Sequence, residues 1–245
     1  MSDPMFYCTE LTGLGDTVTL QGPEAHHVAG SRRLKVGGCI CLFDGRGTVG
    51  RATIESIDRR AKTIVAKVEE CQAVSAPTPR IELACALPKG ERLAILLDMT
   101  TQLGMAAFRP LECERSVVKS GSTAHVRWQR ICAEACKQSR RPHLPTIHSP
   151  ATPAQVLADT NGCDMWVADP TGVRIADLDA GKASDRLLLM IGPEGGFSEN
   201  ELAYLLGAGG QIISLGESIL RIETAAVVLL SHAVSYGQSQ KATAP

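Results

Sequence analysis

The sequence is poor in aromatic side chains and has no long apolar run. Phe, Trp and Tyr make up 4% of its 245 residues, too few for an aromatic sugar groove or a platform that stacks many bases. No stretch approaches the roughly 20 apolar residues that span a bilayer. The first ten residues lack the basic start and apolar core of a signal peptide. These absences predict a soluble, cytoplasmic protein without a membrane partner.

A clear metal motif is also lacking, although the chain has nine cysteines. Scattered cysteines in a cytosolic protein are usually reduced and buried. Cys132 and Cys136 are followed by His143 and His148, but the second pair does not have the spacing of a zinc site. We therefore predict no metal.

The net charge of −1 hides an uneven distribution of charge along the chain. Residues 1–72 hold nine basic and nine acidic side chains, residues 80–148 hold eleven and six, and residues 149–245 hold five and eleven. The basic middle segment is compatible with a surface that faces phosphates. A solvated helix face would have the same charge.

Residues 73–79 carry two prolines and no charge, which is typical of a linker. Before them, short β-rich runs separated by glycine or charged turns predict a small β-barrel over residues 1–72. After them, strand and helix patterns alternate over residues 80–245, which predicts an α/β domain with a largely parallel sheet. The predicted strands cover residues 81–87, 165–169 and 186–192, and the predicted helices cover 91–103, 124–140, 198–206 and 223–235.

Ligands bind outside the carboxyl ends of the strands in a parallel α/β sheet, and three segments are predicted to lie there. Residues 191–197 contain three glycines and lead into a helix whose start is marked by Ser198 and Glu201. The segment matches neither a dinucleotide fingerprint nor a triphosphate-binding loop. Residues 215–225 form a second glycine-containing entry to a helix, and residues 168–172 are predicted to be a strand end followed by a turn.

Together these segments resemble the ribosomal RNA small subunit methyltransferase E family, which methylates uridine N3 in 16S rRNA. The two specific matches are residues 191–201 and 215–225. Weaker matches cover residues 87–93, 102–104, 109–110, 114–119, 134–145, His27 and 33–37, so the resemblance runs through nearly the whole chain in order.

The resemblance implies a PUA-like β-barrel that binds RNA, followed by a SPOUT α/β domain with a C-terminal trefoil knot. It also implies a homodimer, S-adenosyl-L-methionine as the cofactor and the small ribosomal subunit as the partner. The implied cofactor-binding residues are Leu189, Gly192, Gly196, Leu215, Ile219, Leu220 and Thr224.

Arg221 is the first candidate for orienting the uracil or stabilising negative charge on its carbonyl oxygens. Glu194 and Glu223 are candidate bases for the N3 proton, although either could instead pair with Arg221. The candidate phosphate contacts are Arg32, Arg33, Lys89, Arg115, Lys119, Arg140 and Arg141.

Two other functions stay open at this point. The family usually has a lysine and a glutamate where this chain has Met99 and Gln102, which motivates a non-catalytic RNA-binding or ribosome-assembly protein of the same fold. The near-neutral charge and few aromatics are also compatible with a small-molecule enzyme that binds a phosphate at residues 191–197.

Overall fold

The structure is a computed structural model that describes residues 3–11, 13–26, 34–118, 124–160, 162–178 and 184–243. The chain divides into two compact units. The first comprises Met1–Ala76 and Ala133–Leu144, and the second comprises Pro77–Cys132 and Pro145–Pro245. Residues 133–144, which the sequence pattern places in the C-terminal domain, group with the first unit.

The first unit contains a five-stranded mixed sheet. Its strands occur in the order β1-β3-β4-β5-β2, with β1 parallel to β3 and the other pairs antiparallel. Buried and exposed residues alternate along β2 and along the first halves of β4 and β5, because one face of the sheet covers the core. The elements are β1 (Met5–Tyr7), β2 (Thr17–Gln21), α1 (Gly22–His26), β3 (Cys39–Phe43), β4 (Thr48–Asp58) and β5 (Thr63–Ala73).

The second unit contains a six-stranded sheet in the order β11-β9-β10-β6-β7-β8. Every neighbouring pair is parallel, which confirms the predicted α/β class. The strands are β6 (Arg80–Ala86), β7 (Ala107–Leu111), β8 (Thr146–Ile147), β9 (Asp164–Arg174), β10 (Arg186–Ile191) and β11 (Gln211–Ser214). The helices are α2 (Arg92–Leu103), α3 (Ala124–Ser139), α4 (Pro153–Asp159), α5 (Glu199–Gly207) and α6 (Ile222–Thr243), with a short 3-10 helix at Ile175–Asp177.

Both faces of this sheet are covered. Val156 of α4 and Leu205 of α5 pack with Met165 and Met190 on one face. Helix α6 packs against β6 and β10 on the sheet and against α2. Covering both faces explains why β6 and β10 are buried almost continuously rather than in alternation. No helix in the described ranges has both the length and the apolar character needed to cross a membrane.

Strand β9 corrects one expectation from the sequence. Residues 168–172 were predicted to end the strand in a turn, but the strand continues to Arg174. The consecutive residues Ile212 and Ile213 pair with Val167 and Val173 respectively, so the intervening residues of β9 bulge away from β11. A glycine is needed there, because a Cβ on Gly172 would lie 2.5 Å from the carbonyl carbon of Ile212.

Candidate functional site

A cavity of about 440 Å³ opens beside the bulge of β9, the carboxyl end of β10 and the segment that follows β11. Its walls come from the bulge of β9, the loop after β10, the loop after β11 and the first turn of α6. The lining residues are Arg115, Ala168, Asp169, Pro170, Thr171, Ile191, Gly192, Pro193, Glu194, Gly195, Gly196, Phe197, Leu215, Gly216, Ser218, Ile219, Leu220, Ile222 and Ala225.

The β10 loop, residues 191–197, turns sharply over the cavity. The backbone N–H of Gly196 donates to the carbonyl oxygen of Pro193 at 2.9 Å, and Gly196 has a φ of +71°. That conformation favours glycine. A Cβ on Gly196 would contact no other residue within 4 Å, so a side chain there would meet the open cavity and a strained backbone rather than protein atoms.

Arg115 is hydrogen-bonded to the β10 loop. Its Nη1 donates to the carbonyl oxygen of Gly195 at 2.8 Å and to that of Phe197 at 3.3 Å. The backbone N–H of Glu114 next to it donates to Oε1 of Glu201 at 2.9 Å. We refer to Glu114, Arg115 and Glu201 as the loop clamp. The sequence indicated Arg115 only as a candidate phosphate contact, because the contact with residue 195 crosses 80 positions of sequence.

The start of α5 forms the predicted capping box. Oγ of Ser198 accepts the backbone N–H of Glu201 at 3.2 Å, and Oε2 of Glu201 accepts that of Ser198 at 2.8 Å. The box takes up two of the backbone donors that a helix N-terminus could offer to an anion. It also places a carboxylate beside them, which weakens the phosphate-binding interpretation of this loop.

The β11 loop, residues 215–221, is far less constrained. The side chain of Ile219 is 91% exposed although it lines the cavity. Oγ of Ser214 donates to the carbonyl oxygen of Gly216 at 3.3 Å. At the end of the loop, the carbonyl oxygen of Arg221 accepts the backbone N–H of Ala225 at 2.8 Å and so begins α6. The Arg221 side chain is exposed.

The two candidate bases differ in their surroundings. Glu194 lies exposed in the cavity wall. Glu223 lies on the first turn of α6, where its Oε2 is buried without a hydrogen-bond partner in the described structure. Burial raises the pKa of the Cys85 thiol, and both carboxylates add to that rise, which places them near the end of β6. A buried carboxylate oxygen without a donor is costly, so Glu223 is the candidate base whose acceptor oxygen is unsatisfied.

The comparisons with known proteins agree with these features. A model of an RNA methyltransferase domain matches residues 75–234, and a model of an RNA methyltransferase PUA domain matches residues 20–67. A ribosomal RNA small subunit methyltransferase E from Synechocystis is 33% identical over 88% of this chain and 72% of its own length. The chain belongs to the ribosomal RNA small subunit methyltransferase E family.

Other members of the methyltransferase E family agree along almost the whole chain. The protein of that name from Mycobacterium bovis is 31% identical over 92% of this chain and 89% of its own length. The crystal structure of the one from Neisseria gonorrhoeae, bound to S-adenosyl methionine, superimposes with a TM-score of 0.85 at 27% identity. That alignment covers 97% of this chain and 98% of the other.

The residues that the methyltransferase E signature suggested fall into two groups. Six of them line the cavity: Gly192, Glu194, Gly196, Leu215, Ile219 and Leu220. The remaining four are Leu189, Arg221, Glu223 and Thr224, which are not among the lining residues. Leu189 is fully buried in β10, and Thr224 is exposed on α6. Ile222 and Ala225 lie in the second matched segment but were not predicted as site residues, and they line the cavity from the start of α6.

The candidate phosphate contacts are not gathered in one place by the described structure. Lys89 is exposed after β6. In the first unit, Nη2 of Arg140 donates to the carbonyl oxygen of Asp3 at 2.6 Å, and burial lowers the pKa of the Arg141 guanidinium. Arg32, Arg33 and Lys119 lie outside the described residues, as does His27.

Cys136 and His143, which the sequence raised as possible metal ligands, pack together in the first unit. The Sγ of Cys136 donates to the carbonyl oxygen of His143 at 3.5 Å, and Cys136 is buried with Met5 and Phe43. Within the ranges that the structure describes, no three His, Cys, Asp or Glu side chains are grouped so that they could hold a metal ion.

Proposed function

We propose that the protein transfers a methyl group from S-adenosyl-L-methionine to uridine N3 of 16S rRNA. The observation that carries the proposal is the cavity itself, whose walls include residues from both of the family's specific segments, 191–201 and 215–225. Membership in the methyltransferase E family and the cofactor held by the Neisseria gonorrhoeae relative support the same activity.

The cavity suits this cofactor. Its volume of about 440 Å³ lies within the roughly 300–1,000 Å³ of small-molecule sites. Asp169 and Glu194 contribute carboxylates to the wall, and Arg115, the one basic side chain among the described lining residues, is bonded to loop carbonyls. Such a wall favours a ligand with a cationic centre, as in a sulfonium, and disfavours one with several phosphates.

Backbone groups of both loops would hold the nucleoside, with Gly192 and Gly196 on one side and Leu215, Ile219 and Leu220 on the other. When it is bound, the cofactor supplies an activated methyl group. The protein then contributes position and electrostatics, because an in-line displacement requires alignment of the attacking atom.

Uridine N3 carries a proton that must leave as the new bond to carbon forms. We assign its acceptance to Glu223 in preference to Glu194, because Oε2 of Glu223 is buried and lacks a donor. Arg221, two residues earlier, is assigned the role of stabilising the negative charge that develops on the uracil carbonyl oxygens. The target base must be unpaired or extruded before N3 becomes accessible.

We extend the proposal to the architecture. The insertion of β10 between β9 and β6 is compatible with a SPOUT domain whose C-terminal part is knotted, and the match to a PUA model supports an RNA-binding role for the first unit. Ile95 and Met99, one turn apart on α2, are 50% and 42% exposed. These apolar side chains support a homodimer.

The direct test is methyl incorporation into small ribosomal subunits that lack the modification. Purified protein is incubated with labelled S-adenosyl-L-methionine, and the digested RNA is analysed by mass spectrometry. A methyl group on uridine N3 is expected. A methyl group on another atom or nucleotide would contradict the substrate assignment. Failure to bind the cofactor would favour a non-catalytic RNA-binding protein.

A matched pair of variants tests the base assignment. Glu223→Gln keeps the shape of the side chain and removes its basicity, so we expect turnover to fall at least about 100-fold with little change in cofactor affinity. Glu194→Gln should retain most of the activity. The reverse order of the two effects, measured by single-turnover methylation, would transfer the role to Glu194.

A further inference from the structure

A second cavity, of about 500 Å³, lies beside β7 and α4 and shares no lining residue with the first. Its wall includes Arg109 of β7, His148 and Ser149 after β8, and Asp159 at the end of α4. The segment after β8 is hydrogen-bonded to β7, since the N–H of His148 donates to the carbonyl oxygen of Phe108 at 2.9 Å. The wall is therefore anchored on the sheet.

The groups behind this cavity carry an excess of positive charge. Glu82 is buried, and its carboxylate accepts hydrogen bonds from three guanidinium groups. The distances are 2.8 Å from Nε of Arg109, 3.1 Å from Nη2 of Arg186 and 3.2 Å from Nε of Arg80. A single carboxylate cannot neutralise three guanidinium groups, which stay charged in proteins.

The remaining acid does little to restore the balance. Asp159 lies 3.5 Å from Nη1 of Arg109, which is at the limit of a hydrogen bond, and its side chain is 70% exposed. An ion pair of this kind is screened by solvent and contributes little. Counting Glu82 and Asp159 against the three guanidinium groups leaves the cluster with a net charge of +1, part of which is screened by solvent because Arg80 and Arg186 are 46% and 40% exposed.

The guanidinium group of Arg109 faces the cavity and carries part of that charge. Its side chain is 8% exposed, and bonds to Glu82 and Asp159 use Nε and Nη1. Within the described residues no hydrogen bond uses its Nη2. A guanidinium held in this way is already oriented, so binding an anion costs little side-chain entropy.

Two further donors face the same space. The pKa of His148 is lowered by burial and by Arg109, against the opposing effect of Glu82 and Asp159. The lowered pKa favours the neutral imidazole at pH 7, which has one N–H to donate. The exposed hydroxyl of Ser149 lies next to it at the mouth of the cavity.

We propose that this cavity binds a phosphate group, with Arg109, His148 and Ser149 as its ligands. A tetrahedral anion would accept hydrogen bonds from the guanidinium, the imidazole and the hydroxyl. It would also compensate positive charge that Glu82 does not neutralise. The proposal does not depend on the activity assigned to the first cavity. The phosphate belongs either to an RNA backbone or to a free anion.

Calorimetric titration of the whole protein with inorganic phosphate tests this site. We expect saturable binding that Ser149→Asp weakens at least about tenfold, since a carboxylate at the mouth repels the anion. Ser149→Asn adds nearly the same bulk without charge and keeps an N–H donor, so it should bind phosphate more tightly than Ser149→Asp. Ser231→Asp places the same charge on an exposed position of α6, outside the cavity, and should bind normally.

Arg109→Gln is the second variant, and it should abolish phosphate binding. Because it also removes a partner of buried Glu82, its melting temperature must be compared with that of the wild type. The two Ser149 variants do not touch the buried network and keep the test valid if Arg109→Gln unfolds. No saturable binding by the wild type, or equal affinities for Ser149→Asp and Ser149→Asn, would overturn the proposal.

Competition identifies the source of the phosphate. Titration is repeated with a short oligouridylate present in excess. If the oligonucleotide displaces inorganic phosphate in the wild type, and its own affinity falls in Ser149→Asp, the site takes an RNA backbone phosphate. If inorganic phosphate still binds with unchanged affinity, the site takes a free anion. Both results support a phosphate site and differ only in what delivers the group.

Discussion

The two loops that enclose the proposed cofactor cavity are built in opposite ways. The β10 loop is held by Arg115 on its carbonyl oxygens and by the capping box at Ser198, on the helix that follows it. The β11 loop has one side-chain hydrogen bond within the described structure, from Ser214, and it leaves Ile219 91% exposed. The β10 loop is therefore preformed, whereas the β11 loop has side chains that are free to contact a ligand.

This difference separates two contributions to binding. A preformed wall lowers the entropy that a ligand must lose on binding, while an exposed apolar side chain gains burial when the ligand covers it. Changes to the β10 loop should therefore alter both protein stability and cofactor affinity. Changes to the β11 loop should alter affinity or turnover and leave the free energy of unfolding almost unchanged.

Among changes to the two loops, Arg221→Ala should have the largest effect on turnover. Removing a charge that stabilises a developing anion typically costs at least about 100-fold in rate. Because the side chain is exposed, the melting temperature should hardly move. Single-turnover methylation and thermal unfolding measure the two quantities. A variant with full activity would remove Arg221 from the catalytic site.

Gly196→Val should have the largest effect on cofactor affinity. A β-branched residue at a φ of +71° is strained by about 1–2 kcal/mol or more, and its side chain would enter the cavity. We expect affinity to fall about 30-fold, together with a lower melting temperature. Normal affinity by calorimetry would mean that the cofactor does not approach this loop.

Arg115→Ala tests the loop clamp and should have a smaller effect. Loss of two hydrogen bonds at an exposed site costs about 1 kcal/mol, which corresponds to about fivefold in affinity. Arg115→Lys is the control, since it keeps the charge but cannot reach both carbonyl oxygens with a planar group. If RNA affinity falls while cofactor affinity does not, Arg115 is a phosphate contact instead.

Ile219→Ser should have the smallest effect on cofactor affinity, and it should not change protein stability. Part of an apolar side chain is no longer buried on binding, so affinity should fall about threefold. The free energy of unfolding should stay the same, because Ile219 is exposed without the ligand. A loss of stability comparable to that of Gly196→Val would show that the two loops are equally constrained.

Local sequence patterns predicted the elements whose signals are local. The capping box at Ser198 marks the start of α5 in the sequence, and α2 ends at Leu103, as the pattern over residues 91–103 predicted. β7 was missed, since Pro110 argues against a buried strand. β11 was missed because its four residues are too short to show a period.

The parts of the site that escaped prediction depend on long-range pairing. The bulge of β9 exists only because Ile212 and Ile213 pair on either side of it, and no local pattern encodes that register. Arg115 contacts a loop 80 residues away. The family resemblance did identify both loops, because it draws on the whole motif rather than on local propensity.

The order of the cavity walls along the chain has a consequence for biosynthesis. The bulge of β9 comes first, the β10 loop second, and the β11 loop with the start of α6 last. Since chains emerge from the ribosome N-terminus first, a nascent chain that ends before Ile222 can pair its sheet but lacks the closing wall. The cofactor can therefore stabilise the protein only after nearly all of it has been translated, and earlier folding intermediates receive no help from that ligand.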